Sequence, residues 1–285
     1  NFFNKDTLLI VQCGAYIALS SLSQVNPTCF IEVIAELLFN KTESLIFEFP
    51  YEITQSLINL CRIIPDFIET KLDQIKNLSI ALFNEEPDCT FRLLSTLIEL
   101  YGEKILPIPE EAMLNFNQIP ISEDFKKFFI ILMSNNHEIS PEVQRKLFER
   151  IKIELNSFNR IITLNLISEI PKNFFTDQES LLNTIWPLSI NKDPDIRSAT
   201  APAIFNIAKS TDQITIQSIS QRFLQLAIYE QIIEVRYNFL QSIIDNADES
   251  LASPEFRTYY QIFVNDDSST VRSLFYQLLS KLSPL

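Results

Sequence analysis

Leu181-Leu182-Asn183-Thr184-Ile185-Trp186-Pro187-Leu188, a break at Lys192-Asp193-Pro194-Asp195, then Ile196-Arg197 at the head of a second apolar run make up one unit. The break, with its branched residue and arginine, returns at Glu234-Val235-Arg236 and again between Asp266 and Val271-Arg272. Arg197 and Arg236 stand 39 residues apart, Arg236 and Arg272 stand 36 apart, and 37 residues before Arg197 lies Arg160, again heading an apolar run. A recurrence of that length marks paired helices stacked in a row, each pair burying its apolar face only against its neighbours.

Extended outward, the pattern covers the chain. Second helices are predicted to begin near 6, 50, 87, 122, 158, 194, 232 and 268, with successive gaps of 44, 37, 35, 36, 36, 38 and 36. The starts carry helix-opening chemistry. Asp6-Thr7 and Ser122 supply side-chain oxygens for free first-turn amides. Pro27, Pro50, Pro141 and Pro254 suit a first turn, where the missing N–H has no intrahelical partner. Asp66 to Phe83 and Asp177 to Ile190 each read as one helix, Asp212 as a helix start, and Gly102 as a left-handed terminator. The expected fold is all-α: a right-handed α-solenoid of about seven two-helix units behind one leading helix, running as a single array over 1–285. Because Asn1 rather than Met opens the chain, the array is expected to be a piece of a longer one.

Composition removes several function classes. Two glycines, Gly14 and Gly102, leave no cluster able to cradle phosphates or turn around a dinucleotide. Thirty-six acidic against 23 basic residues give a formal charge of −13, the wrong sign for a nucleic-acid footprint. That charge suits basic protein segments and also keeps an apolar-rich chain in solution. No apolar run approaches the roughly 18 residues of a membrane span. Cys13, Cys29, Cys61 and Cys89 lie 16, 32 and 28 residues apart, with no CxxC spacing, so they read as core thiols in a reducing compartment. The cytoplasm, and with it the nucleus, is the expected location. No cofactor or metal is expected.

Individual residues add little chemistry. His137, the one histidine, sits in a polar turn with no group nearby to orient it for proton transfer. Trp186, the one tryptophan, lies beside Pro187 in a first helix and reads as packing. Glu85-Glu86, Glu110-Glu111 and Asp266-Asp267 fall at turns and helix starts, where carboxylates favour the positive end of the helix. The chain is expected not to be an enzyme.

Leu181-Leu182 with Trp186-Pro187, followed by Asp193-Pro194-Asp195-Ile196-Arg197-Ser198-Ala199, resembles the HEAT repeat. In that pattern a proline bends the first helix, an aspartate sits in the turn, and Val/Ile-Arg opens the second. The resemblance implies a structural ladder in which Arg160, Arg197, Arg236 and Arg272 each reach an aspartate of the adjacent unit. Arg92 fits one position out of phase, and Lys126-Lys127 stands where an arginine is expected. The run Glu234-Val235-Arg236-Tyr237-Asn238-Phe239-Leu240-Gln241-Ser242 is most similar to the scaffolding A subunit of protein phosphatase 2A. That likeness implies a scaffold whose turns carry a phosphatase catalytic subunit and a regulatory subunit. By position the contact residues would be Lys192, Asp193, Asp195, Glu230, Gln231, Glu234, Asn265, Asp266 and Asp267. A karyopherin-like or other HEAT adaptor, binding basic protein segments, is the alternative.

Overall fold

The computed structural model describes residues 9–25, 32–116, 118–135, 138–171, 174–175, 177–208, 213–246 and 257–282. The protein is all-α, and no strand occurs among the described residues. It divides into two compact units, Asn1–Val143 and Gln144–Leu285. The helix starts read at Asp6-Thr7, Pro27, Asp212 and Pro254, together with Cys29 and His137, lie outside the described residues.

The first unit contains α1 (Leu9–Val25), α2 (Glu32–Leu45), α3 (Pro50–Ile63), α4 (Pro65–Glu69), α5 (Leu72–Leu82), α6 (Pro87–Tyr101), α7 (Glu110–Phe116) and α8 (Glu123–Ser134). One layer runs α1 on α3, α3 on α6 and α6 on α8, while α2 packs on α1 and α3, and α5 on α6. Proline opens α3, α4 and α6. The Ser122 hydroxyl accepts from the Phe125 amide at 3.1 Å and caps α8. Phe91 sits at the centre of the core, its ring 5.1 to 5.9 Å from those of Phe83, Phe116, Phe125 and Phe128. Burial of each such side chain contributes about 1.5–3 kcal/mol.

Two expectations for this unit change. Asp66 to Phe83 is not one helix but α4 and α5, separated at Thr70-Lys71. There the Thr70 hydroxyl donates to the Phe67 carbonyl at 2.7 Å and the Lys71 amide to Ile68 at 2.8 Å. These short-range bonds satisfy the end of α4 locally and stop it. Gly102 does end α6 with a positive φ of 51°, but its ψ of −124° lies outside the left-handed helical basin. The chain turns there into a 3-10 stretch, Gly102–Lys104.

The second unit holds most of α9 (Pro141–Glu154), then α10 (Arg160–Glu169), α11 (Gln178–Ile185), α12 (Pro194–Ala208), α13 (Gln213–Tyr229), α14 (Ile233–Asn246), α15 (Arg257–Val264) and α16 (Ser269–Leu282). Its continuous layer is α10 on α12, α12 on α14 and α14 on α16, with α11, α13 and α15 each packed on the second helix that follows. Ala199, Ala201, Ala203 and Ala208 of α12 are buried, and their small side chains let the neighbouring helices approach. The helix expected over Asp177 to Ile190 tightens at Trp186 into a 3-10 stretch, Trp186–Ile190, because Pro187 cannot donate to the helical ladder. Trp186 packs as expected, its ring 5.3 Å from that of Phe223 and 4.2 Å below the Arg222 guanidinium.

Candidate binding edge

In the second unit the turns from first to second helices carry the residues singled out in the sequence. Arg197, Arg236 and Arg272 all sit in the first turn of a second helix and use one guanidinium nitrogen alike. Nη1 of each donates to the carbonyls six and five residues earlier: Asn191 and Lys192 at 2.8 and 3.1 Å, Glu230 and Gln231 at 3.0 and 3.1 Å, Asp266 and Asp267 at 2.6 and 3.1 Å. These are carbonyls left over where a first helix ends. The arginine therefore closes its own turn.

The other side of the fork reaches forward. Arg197 donates Nε and Nη2 to the two Glu230 oxygens at 2.7 and 2.9 Å, a planar bidentate pair. Arg236 donates Nη2 to Asp266 at 3.1 Å and to Asp267 at 2.5 Å. Glu230 and Asp266 each lie six residues before the arginine of their own unit, so the accepting carboxylate comes at the end of the first helix. The turn aspartate, Asp193, accepts instead from the Asp195 amide at 2.9 Å and caps α12.

Arg160 departs from this arrangement. It donates Nε to the Leu155 carbonyl, closing its own turn, but no ion pair joins it to the next unit among the described residues. The position six before Arg197 explains the gap: it is Asn191, whose side chain accepts from the Asp193 amide at 3.0 Å. Glu154, at the equivalent position of the preceding unit, is buried and pairs with Arg150 of its own helix. In the first unit Arg92 pairs with Asp124 at 2.6 Å and lies 5.3 Å from the Tyr51 ring, joining α3, α6 and α8 through an acceptor in the first turn of the next second helix rather than at the end of a first one.

A second set of bonds ties the far ends of the second helices. Nine residues after Arg197, the Asn206 amide donates to the Ile167 and Ile170 carbonyls at 2.8 and 2.7 Å. Nine after Arg272, the Lys281 ammonium donates to Ile244 at 2.8 Å. Sequence reading missed both this set and the acceptor position. The signal was available as equal offsets from the arginines: Glu154, Asn191, Glu230 and Asp266 before, Asn206 and Lys281 after.

Electrostatically the edge is acidic on its solvent side. Glu230 and Asp266 turn inward onto the guanidinium groups, their side chains 9% and 10% exposed. Lys192, Asp193, Asp195, Gln231, Glu234, Asn265 and Asp267 are exposed. Burial pushes the Glu230 carboxyl up, but the Arg197 guanidinium with the Ile232 and Gln231 amides outweighs it and holds the group below its ordinary value. Among the described residues no group of His, Cys, Asp and Glu is arranged to hold a metal ion, and no helix is long and apolar enough to cross a membrane.

Solved structures share this stacking. The karyopherin Kap121p, bound to the extreme C-terminus of the protein phosphatase Cdc14p, matches 97% of this chain with a TM-score of 0.58 at 13% identity. Kap121p bound to Nup53p matches 97% with a TM-score of 0.55 at 13% identity. The fold is that of HEAT repeats. An engineered protein matches 98% of the chain with a TM-score of 0.53 at 14% identity. The chain spans 33% and 32% of the two karyopherin chains and 76% of the engineered one. No protein-family model and no curated protein matches the sequence. In HEAT terms, the arginine fork links successive repeats and the exposed residues lie on the intra-repeat turns.

Proposed function

We propose that this chain is a non-catalytic protein-binding scaffold, a single HEAT array over 1–285 that holds protein segments along its intra-repeat turns inside the cell. One observation carries the reading. Lys192–Asp195, Glu230–Glu234 and Asn265–Ser268 are successive turns, each closed by its own arginine through Nη1 bonds to turn carbonyls, and they present a row of exposed polar residues on that frame. Exposed side chains held by a rigid support suit recognition, because little ordering remains to be done on binding.

Two partner classes fit that frame. The likeness of Glu234 to Ser242 to the phosphatase 2A A subunit supports a catalytic and a regulatory phosphatase subunit as the occupants. The charge of −13 supports the alternative, an adaptor for basic protein segments, and the solved karyopherins with bound protein segments lend it weight. The test is affinity capture with the intact chain and with Asp193→Ala, Asp195→Ala and Glu234→Ala combined. Loss of the captured protein on substitution supports the turn edge, and unchanged recovery rules it out. A phosphatase that stays bound at moderate salt supports the first class, and a basic protein released there supports the second.

A further inference from the structure

Seven residues before each ladder arginine of the second unit lie Ile153, Ile190 and Tyr229, with Asn265 at the fourth such position. This is the last part of each first helix, where the side chain faces water. The three apolar ones are exposed by 60%, 71% and 85%. Single exposed apolar residues are ordinary; the same offset in three consecutive repeats is a stripe. Between Ile190 and Tyr229 it opens into a groove of about 440 Å³, lined also by Pro194, Ile232 and the Arg197–Glu230 pair. Lys192 is the exposed charged residue that lines the groove, while the turns that follow the stripe positions carry exposed Asp193, Asp195, Glu234 and Asp267, so the edge as a whole is acidic.

Spacing and charge together specify an occupant. Neighbouring helices pack about 8–10 Å apart, so the stripe offers one apolar contact per such step. A β-strand repeats a face every two residues, about 7 Å, which falls out of step. A polyproline-II segment repeats a face every three residues at about 3.1 Å each, close to 9 Å, which keeps step over all three positions. Its remaining faces are left for the acidic residues of the turns and for solvent.

We propose that the Ile153–Ile190–Tyr229 edge takes an extended, polyproline-II-type protein segment with an apolar side chain at every third position and lysine or arginine between. This rests on the scaffold reading and narrows it to one edge and one ligand chemistry. Tyr229 supplies the widest apolar surface and stacks over the segment, and Ile190 and Ile153 take the next apolar side chains along.

The experiment is fluorescence anisotropy with the whole chain and a fluorescein-labelled peptide of four Leu-Lys-Pro repeats. Saturable binding is expected, weakened about ten-fold or more by Ile190→Ser with Tyr229→Ser, since central aromatic anchors dominate such contacts. Both residues are exposed, and an unchanged circular-dichroism melt confirms that the variant is folded. Peptides of Leu-Glu-Pro repeats, or of alternating Leu-Lys, are expected to bind at least about ten-fold more weakly, from the wrong charge and the wrong period. Equal binding of the three peptides, or no effect of the double variant, overturns the proposal. A chain that still captures its partner protein through Asp193, Asp195 and Glu234 but ignores the peptide loses this inference and keeps the scaffold reading.

Discussion

Glu230 is pulled two ways, by burial that favours its neutral form and by a guanidinium that favours its charged one, and the guanidinium wins. A carboxyl held below its ordinary value adds stability that is present above the unfolded-state value, about 4.3, and is lost as pH falls through the folded value. Glu230→Gln is therefore expected to cost about 1–3 kcal/mol at neutral pH, because Arg197 keeps its position and loses its charge partner. The gap between wild type and variant should narrow below about pH 4, measured by urea unfolding at both pH values. Asn191→Asp is the converse change. It offers Arg160 a carboxylate at the position occupied by Glu230 and Asp266 in later repeats, retains an acceptor for the Asp193 amide, and should stabilise by up to about 1 kcal/mol. Residues at this scale were half legible. The arginines stood out because three follow a branched residue, while their acceptors change between Glu, Asp and Asn and so hide from a search by identity.

At the scale of elements, the second helices start within a residue or two of their expected places wherever the structure describes them, because proline and Ser/Thr/Asp at a helix opening act locally. Breaks inside elements were harder to see. The Thr70-Lys71 division depends on a side-chain bond to a nearby carbonyl, and the 3-10 end of the α11 segment on the N–H that Pro187 lacks, neither of which disturbs apolar periodicity. The two glycines make opposite predictions. Gly14 lies inside α1, exposed, with open space for 4 Å around the place a Cβ would take, so Gly14→Ala should stabilise by about 0.5–1 kcal/mol. Gly102 also has open space around it, but its φ of +51° strains any other residue, so Gly102→Ala should destabilise by about 1–2 kcal/mol. Asn should not rescue it, because a ψ of −124° lies outside the left-handed region that Asn tolerates. Chemical denaturation of the three variants checks all three signs.

For the whole molecule, a charge of −13 sets the field that any ligand meets before contact. Capture of a basic segment should weaken steeply between about 0.05 and 0.3 M salt, as the screening length falls from roughly 14 to 6 Å, and titration across that range measures it. A ligand held by apolar contact alone would keep its affinity. The fold class was readable from one recurrence, since stacked pairs need the same apolar faces at each step. The binding edge was readable only as a set of turns, because which acids turn inward depends on geometry between repeats.

Asn191 has a consequence for dividing the chain. Where Arg160 meets no forward carboxylate, the series of charge pairs is interrupted, although α10 and α12 stay closely packed there. Starting a shortened protein at Asp177 severs two contacts from the Lys152 ammonium, to Asp177 at 3.8 Å and to the Ser180 hydroxyl at 2.7 Å, along with neutral hydrogen bonds such as those of Asn206, but no arginine–carboxylate pair. Starting it at Gln213 strands Glu230 without Arg197. The weakest charge joint in the second unit thus falls before α11, and a trimmed version opened there leaves every later arginine fork whole.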